Sequence, residues 1–164
     1  MFIGQPAEER GAGAKAMLDD GLFTRFPRPD FAVALHVDAS MEAGSVGYRE
    51  GFSLANVDSV DITVKGRGGH GAYPQATIDP IVQAAQLVLA LQTIVSRNVS
   101  PFHPLVLSIT EMHGGHVWNV VPDKASFQGT VRYFHKSDGE LVGKRFKQQV
   151  QSIAAGYGIT AGVN

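Results

Sequence analysis

The chain has 164 residues, 44% of them hydrophobic and 18% charged, with a formal net charge of -1, which suits one good core or one domain with part of another. Near-neutral charge and the lack of any basic run exclude long-range attraction to nucleic acid or anionic membrane. With no cysteine, neither a disulfide framework nor a thiolate metal site is available, so a metal here would need His, Asp or Glu.

In chain order, Met1-Phe2-Ile3 reads as the tail of a buried strand running into the polar loop Gln5-Pro-Ala-Glu-Glu9. It lacks the basic start and cleavage region of a signal peptide. The apolar stretch from Ile81 to Val95 is interrupted by Gln83, Gln86, Gln92 and Thr93, which is too polar for a membrane span, so a soluble cytoplasmic protein is expected. Ala14, Met17 and Leu18 with a glycine stop at Gly21 predict a short helix. Phe31-Ala-Val-Ala-Leu35 is an unbroken apolar run that predicts a strand buried on both faces, with His36 at its C-terminal end. Ligands of open α/β sheets bind beyond the carboxyl ends of the strands, which places Glu8, Glu9 and His36 at one edge. Residues 44–51 read as a further short strand or connection, and 43–56 is the candidate domain boundary.

From residue 57 the pattern predicts a strand over 57–65, a glycine loop over 66–76, a helix over 80–97, strands over 105–112 and 124–134, a helix over 138–156, and a last strand from 159. Val60, Ile62 and Val64 alternate with Asp61, Thr63 and Lys65, the period of a half-buried strand. Asp79-Pro80 is an N-cap with proline at the first helical position, and Leu87, Leu91, Ile94 and Val95 supply a buried stripe. Ser137 and Glu140 have the spacing of a capping box, followed by Leu141, Phe146, Val150, Ile153 and Tyr157 at near-helical spacing. The order βαββαβ is that of a ferredoxin-like α+β unit, two helices on one face of a four-stranded antiparallel sheet.

Several residues are placed for chemistry. Adjacent carboxylates at Glu8 and Glu9 suit a division of labour, one holding a metal and the other taking a proton from water. Read alone, a pair of glutamates before a helix is more often a solvated start that favours the helix dipole. His36 is a neutral nitrogen ligand at the same edge, or a hydrogen-bonded strand end. His70 sits among Gly66, Gly68, Gly69 and Gly71, where the backbone is free to approach a ligand. Asn119 is the amide of a second glycine loop, and Arg132 lies on a strand face opposite Val131 and Tyr133, suited to a substrate carboxylate or a cross-strand ion pair. Trp118 and Tyr73 read as packing residues, and His103, His116 and His135 as surface residues. Gly66-Arg-Gly-Gly-His-Gly71 lacks the Lys-Ser/Thr of a phosphate loop, and the strands carry no aromatic RNA-binding pattern.

Together, Gln5-Pro-Ala-Glu-Glu9, Gly13-Ala-Lys-Ala-Met17, Leu35-His36, Val64-Lys-Gly-Arg-Gly-Gly-His70, Asp79-Pro80, Asn119-Val-Val-Pro122 and Gly129-Thr-Val-Arg132 resemble one family. It is the dinuclear zinc amidohydrolases and carboxypeptidases, including aminoacylase, hippurate hydrolase and carboxypeptidase G, in the bacterial N-acyl-amino-acid branch. The resemblance implies that residues 1–55 are a fragment of an α/β catalytic domain and 56–164 a ferredoxin-like lid and dimerisation domain. It implies Glu8 as general base, Glu9 and His36 as metal ligands, His70 as the lid histidine that stabilises the oxyanion in the opposite subunit, and Asn119 and Arg132 as substrate-binding residues. It also implies a homodimer formed through the lid and two divalent ions in the parent enzyme, zinc with manganese or cobalt as alternatives.

The family's upstream ligands and its C-terminal ligand histidine have no counterpart here. Arg10 stands where the family commonly has glycine, and Val37-Asp-Ala-Ser-Met-Glu42 lacks an Asn-Trp-like continuation. These departures lead to the expectation that the chain is an internal fragment, itself inactive and not retaining the metals, of an enzyme cleaving N-acyl amino acids or small peptides. The alternative is a stand-alone dimerisation or small-molecule-binding module without catalysis.

Overall fold

A computed structural model describes residues 1–159 and 161–163, and its contacts separate Met1–Gly47 from Tyr48–Asn164. In the first unit the polar loop becomes a 3-10 turn, Glu8–Arg10, followed by helices α1 (Gly13–Asp19) and α2 (Leu22–Arg25). Gly21, between the helices, has φ 85°, a left-handed conformation that glycine adopts without steric cost, so the expected stop is found. Of the residues in these three elements only Gly13 is buried, and the Pro6 carbonyl lies where a side chain at that position would begin.

The strand expected over 31–35 does not form. Phe31, Val33 and Leu35 are 91%, 91% and 86% exposed, and residues 27–37 carry no pairing. An apolar run becomes a strand only where a neighbour takes up its N–H and C=O groups, and among the described residues none lies alongside. Met1-Phe2-Ile3 forms no strand either. Residues 44–51 are a connection, with Gly44 and Gly51 at φ 87° and 82°.

In the second unit the expected order appears, with two short strands added. Strand β1 (Asn56–Lys65) is followed by a two-residue strand β2 (Gly69–His70), helix α3 (Pro80–Asn98), strand β3 (Leu105–Gly114), a two-residue strand β4 (Val120–Val121), strand β5 (Lys124–Tyr133), helix α4 (Lys136–Gly156) and strand β6 (Ala161–Val163). The main sheet is antiparallel in the order β3-β5-β1-β6. Thus β5 is inserted between β1 and β3, and β1 between β5 and β6, which is the doubled split-βαβ of a ferredoxin-like α+β domain.

Register decides which face is covered. Ile62 lies opposite Phe127 and Val64 opposite Ala125, and these residues meet Leu87, Leu91 and Ile94 of α3 and Val142, Phe146 and Val150 of α4 in one core. Phe127 is fully buried, so its truncation to Ala would cost about 3–5 kcal/mol. The other face carries Ser59 opposite Thr130, Asp61 opposite Gln128, and Thr63 opposite Ser126, and is polar. An irregularity between Ile109 and Glu111 inserts a residue into β3, bending that strand locally.

Helix α3 starts as its sequence predicts. Asp79 Oδ1 accepts the Ile81 N–H at 2.8 Å, with Pro80 at the first position, a cap contributing about 1 kcal/mol. Helix α4 does not. It starts at Lys136, its N-cap is His135, and no side chain caps it, so Ser137 lies inside the first turn and the expected box with Glu140 is absent. Asp138 takes the third position, is buried, and sits 3.0 Å from His103 Nδ1. That pairing also makes His103 a half-buried tether of the α3–β3 connection to α4, and not the surface residue its sequence context suggests. No helix among the described residues is long and apolar enough to cross a membrane.

Candidate functional site

The glycine loop after β1 is pinned along its length. Gly66 N–H donates to the Asp123 carbonyl at 2.8 Å, Gly68 N–H to Asp123 Oδ1 at 2.8 Å, and Arg67 and Ile78 exchange two backbone bonds of 2.9 Å. Between these anchors β2 pairs antiparallel with β4, Gly69 opposite Val121 and His70 opposite Val120. Gly71 N–H donates to the Asn119 carbonyl at 2.8 Å. His70 and Asn119, far apart in sequence, therefore come side by side. Gly68 permits this, because a Cβ there would stand 2.5 Å from the Val121 carbonyl oxygen.

The hydrogen bonding of His70 sets its tautomer. Ala72 N–H donates to His70 Nδ1 at 3.1 Å, so a neutral ring carries its proton on Nε2 and presents a donor on its far side. The Tyr73 ring meets it edge-on at 5.5 Å. Asn119 uses its backbone carbonyl for Gly71. It is a corner residue of a turn closed by Val120 N–H donating to the Val117 carbonyl at 3.2 Å. The other corner is Trp118, which is 96% exposed, and Tyr73 is exposed too. Neither belongs to the core of the second unit among the described residues: both lie on loops beyond the helix-covered face.

Arg132 is elsewhere. It lies on β5 between Val57 of β1 and Val106 of β3, on the polar face of the sheet. It is exposed and stands at the opposite end of β5 from Asp123. At about 3.3 Å per residue, the length of β5 puts it on the order of 25 Å from the β2–β4 ladder. Between them along the strands is a depression of about 410 Å³ lined by Ser59, Asp61, Thr110, Glu111, Gln128 and Thr130. Sequence reasoning gave no sign of it, because it depends on which strands are neighbours.

In the first unit, Glu8 and Glu9 are exposed on the 3-10 turn. Ala7 before them holds φ 52°, a left-handed conformation costing a non-glycine residue about 1–2 kcal/mol, and Gly11 N–H closes the turn on the Glu8 carbonyl at 2.8 Å. His36 is exposed, and its Nδ1 lies 2.7 Å from the Val37 carbonyl oxygen. As donor there, Nδ1–H leaves Nε2 with a lone pair, the form a metal ligand needs. Yet among the described residues no three His, Asp or Glu side chains gather to hold an ion. A carboxylate and an imidazole are suitable donor types, but two fall short of the three that even an open zinc site uses. The residues present do not make a metal centre by themselves.

The M20 dimerisation family, described as a peptidase dimerisation domain, matches residues 52–158. The N-acetylcysteine deacetylase of Bacillus subtilis (strain 168) is 41% identical over 160 residues, 98% of this chain and 41% of the relative. The N-acetyldiaminopimelate deacetylase of Priestia megaterium is 40% identical over 157 residues, 96% of this chain and 42% of the relative. A crystal structure of a Bacillus subtilis protein, described as a dinuclear metal binding peptidase from the M20 family, superposes with a TM-score of 0.66 and 34% identity, over 99% of this chain and 39% of its own. The chain spans about two fifths of the length of the curated relatives it matches.

Proposed function

We propose, on the premise that this chain belongs to the M20 peptidase family, that it serves a metal-dependent amidohydrolase cleaving the amide bond of N-acyl amino acids or small peptides. Residues 1–55 contribute to the catalytic domain and residues 56–164 form the lid. Glu8 is the general base toward the attacking water. Glu9 and His36 are two of the protein ligands of a pair of divalent ions, zinc by preference, with the remaining ligands supplied by the rest of a longer protein. His70 donates Nε2–H to the oxyanion beside Asn119, and Arg132 forks onto the substrate carboxylate.

The observation that carries this reading is the separation within the lid. His70 and Asn119 share one end of the sheet and Arg132 stands at the other, too far apart for one protomer to place all three on a small substrate. A two-fold pairing resolves this. Strand β3 lies at the sheet edge, hydrogen-bonded to β5 on one side only. Within Leu105–Gly114 there is no Pro or Lys to blunt it. Val82 and Leu89 of α3, the helix that leads into β3, are exposed. A second copy laid antiparallel along β3 brings the Gly114 end of one strand level with the Leu105 end of the other. The His70–Asn119 end of one lid thereby meets the Arg132 end of its partner.

The test is hydrolysis of an N-acetyl amino acid by the full-length protein with zinc added. Wild type is expected to turn over, and His70→Ala to lose about 10²–10³-fold in kcat, the loss typical of a removed oxyanion donor, while sedimenting as the same dimer. Absence of turnover in the wild type, or unchanged turnover in His70→Ala, overturns the proposal.

A further inference from the structure

Resting on that reading, we propose that Trp118 is the platform for the substrate's acyl group, a specificity-determining residue that favours apolar acyl chains longer than acetyl. Three observations carry it. Trp118 is 96% exposed, an indole left in water by a domain that buries Phe127 and Phe146 in its core. It shares a tight turn with Asn119, closed by the 3.2 Å bond from Val120 N–H to the Val117 carbonyl, so the indole and the amide leave adjacent corners of one turn. That element is held against the His70 loop through Gly71 and the β2–β4 rungs, so the backbone that carries the indole adjoins the backbone that carries His70.

The choice of acyl group follows from substrate connectivity. The oxyanion forms on the carbon that bears both the acyl chain and the scissile nitrogen, so the donors alone do not tell these two apart, and the carboxylate end fixes which way each faces. The amino-acid carboxylate points the other way, toward Arg132 of the partner subunit. Trp118 belongs to the donor side and flanks the acyl chain. A planar indole covers a chain of several methylenes far better than a single methyl; full burial of one methylene is worth about 0.8 kcal/mol, roughly fourfold, so a chain lying against one open indole face gains on the order of tenfold in all.

The experiment compares kcat/KM of the full-length enzyme on N-acetyl and N-hexanoyl derivatives of one amino acid, for wild type, Trp118→Ala and Trp118→Phe. Trp118→Ala is expected to lower the hexanoyl-to-acetyl ratio by about tenfold, with Trp118→Phe recovering most of it and all three sedimenting as dimers. An unchanged or raised ratio overturns the proposal, as does an equal loss on both substrates. Dissociation of the Trp118→Ala dimer also overturns it, since the indole would then be an interface residue. A wild type that hydrolyses neither substrate refutes the amidohydrolase reading instead.

Discussion

Replacing Gly68 by alanine tests whether the approach of two loops makes the site. A Cβ there would lie 2.5 Å from the Val121 carbonyl oxygen, 3.1 Å from the Pro122 carbonyl carbon and 3.2 Å from Asp123 N, against the 3.4 Å at which ordinary contact begins. All three neighbours are backbone, so no rotamer change relieves the overlap, and the two chains must part by about 0.9 Å along the line to Val121. Overpacking of this kind costs about 1–3 kcal/mol, a fraction of the 5–15 kcal/mol of a typical domain, so the domain should stay folded. The displacement falls on the ladder that aligns His70 with Asn119. A misplacement of about 1 Å costs on the order of 10²-fold in rate. The assay is kcat and KM of the full-length enzyme on an N-acetyl amino acid, beside thermal unfolding followed by circular dichroism. A folded Gly68→Ala enzyme with wild-type kcat would refute the argument that these loops set the donor geometry.

Two further predictions concern the scaffold. Gly143 lies inside α4 with nothing within 4 Å of a prospective Cβ, so Gly143→Ala should stabilise by about 0.5–1 kcal/mol; a fall in the urea midpoint would contradict the open surface assigned to it. Burial, followed by the neighbouring Asp58 carboxylate, raises the Tyr133 hydroxyl above its ordinary pKa of 10.0. Since the fold favours the protonated form, that contribution is complete below the ordinary value and is lost as pH rises from there through the raised one. Urea midpoints between pH 8 and 11 should therefore fall less steeply for Tyr133→Phe than for wild type, and equal slopes would refute the assignment.

Much of the second unit was legible because its signals are local. The alternation around Ile62 and Val64 and the Asp79-Pro80 cap each depend on residues a few positions apart. The start of α4 was not, since the local cap signal lies at Ser137 and the helix starts at Lys136 with His135 before it, where the Asp138–His103 contact across the fold accompanies the start. The run at 31–35 shows what the segment would bury, but not whether a neighbour is there to bury it. His70, Asn119 and Arg132 were identifiable as candidates from their motifs. That two of them adjoin and the third stands apart follows only from strand register. Trp118 was expected to pack because aromatic residues are buried on average, and the average says nothing of a turn held outside the core.

The ladder between β2 and β4 has only two rungs, flanked by glycines, whereas β1 and β5 pair along ten residues. Openings of so short a pairing need not disturb the core, so they lie toward the low end of the free-energy range between fraying and global unfolding. The adjacency of His70 and Asn119 thus depends on a latch of few backbone bonds. Asp123 is the catch, gripping Gly66 through its carbonyl and Gly68 through its side chain. Substitutions at Asp123 would loosen the approach of the two loops while leaving His70 and Asn119 themselves unaltered.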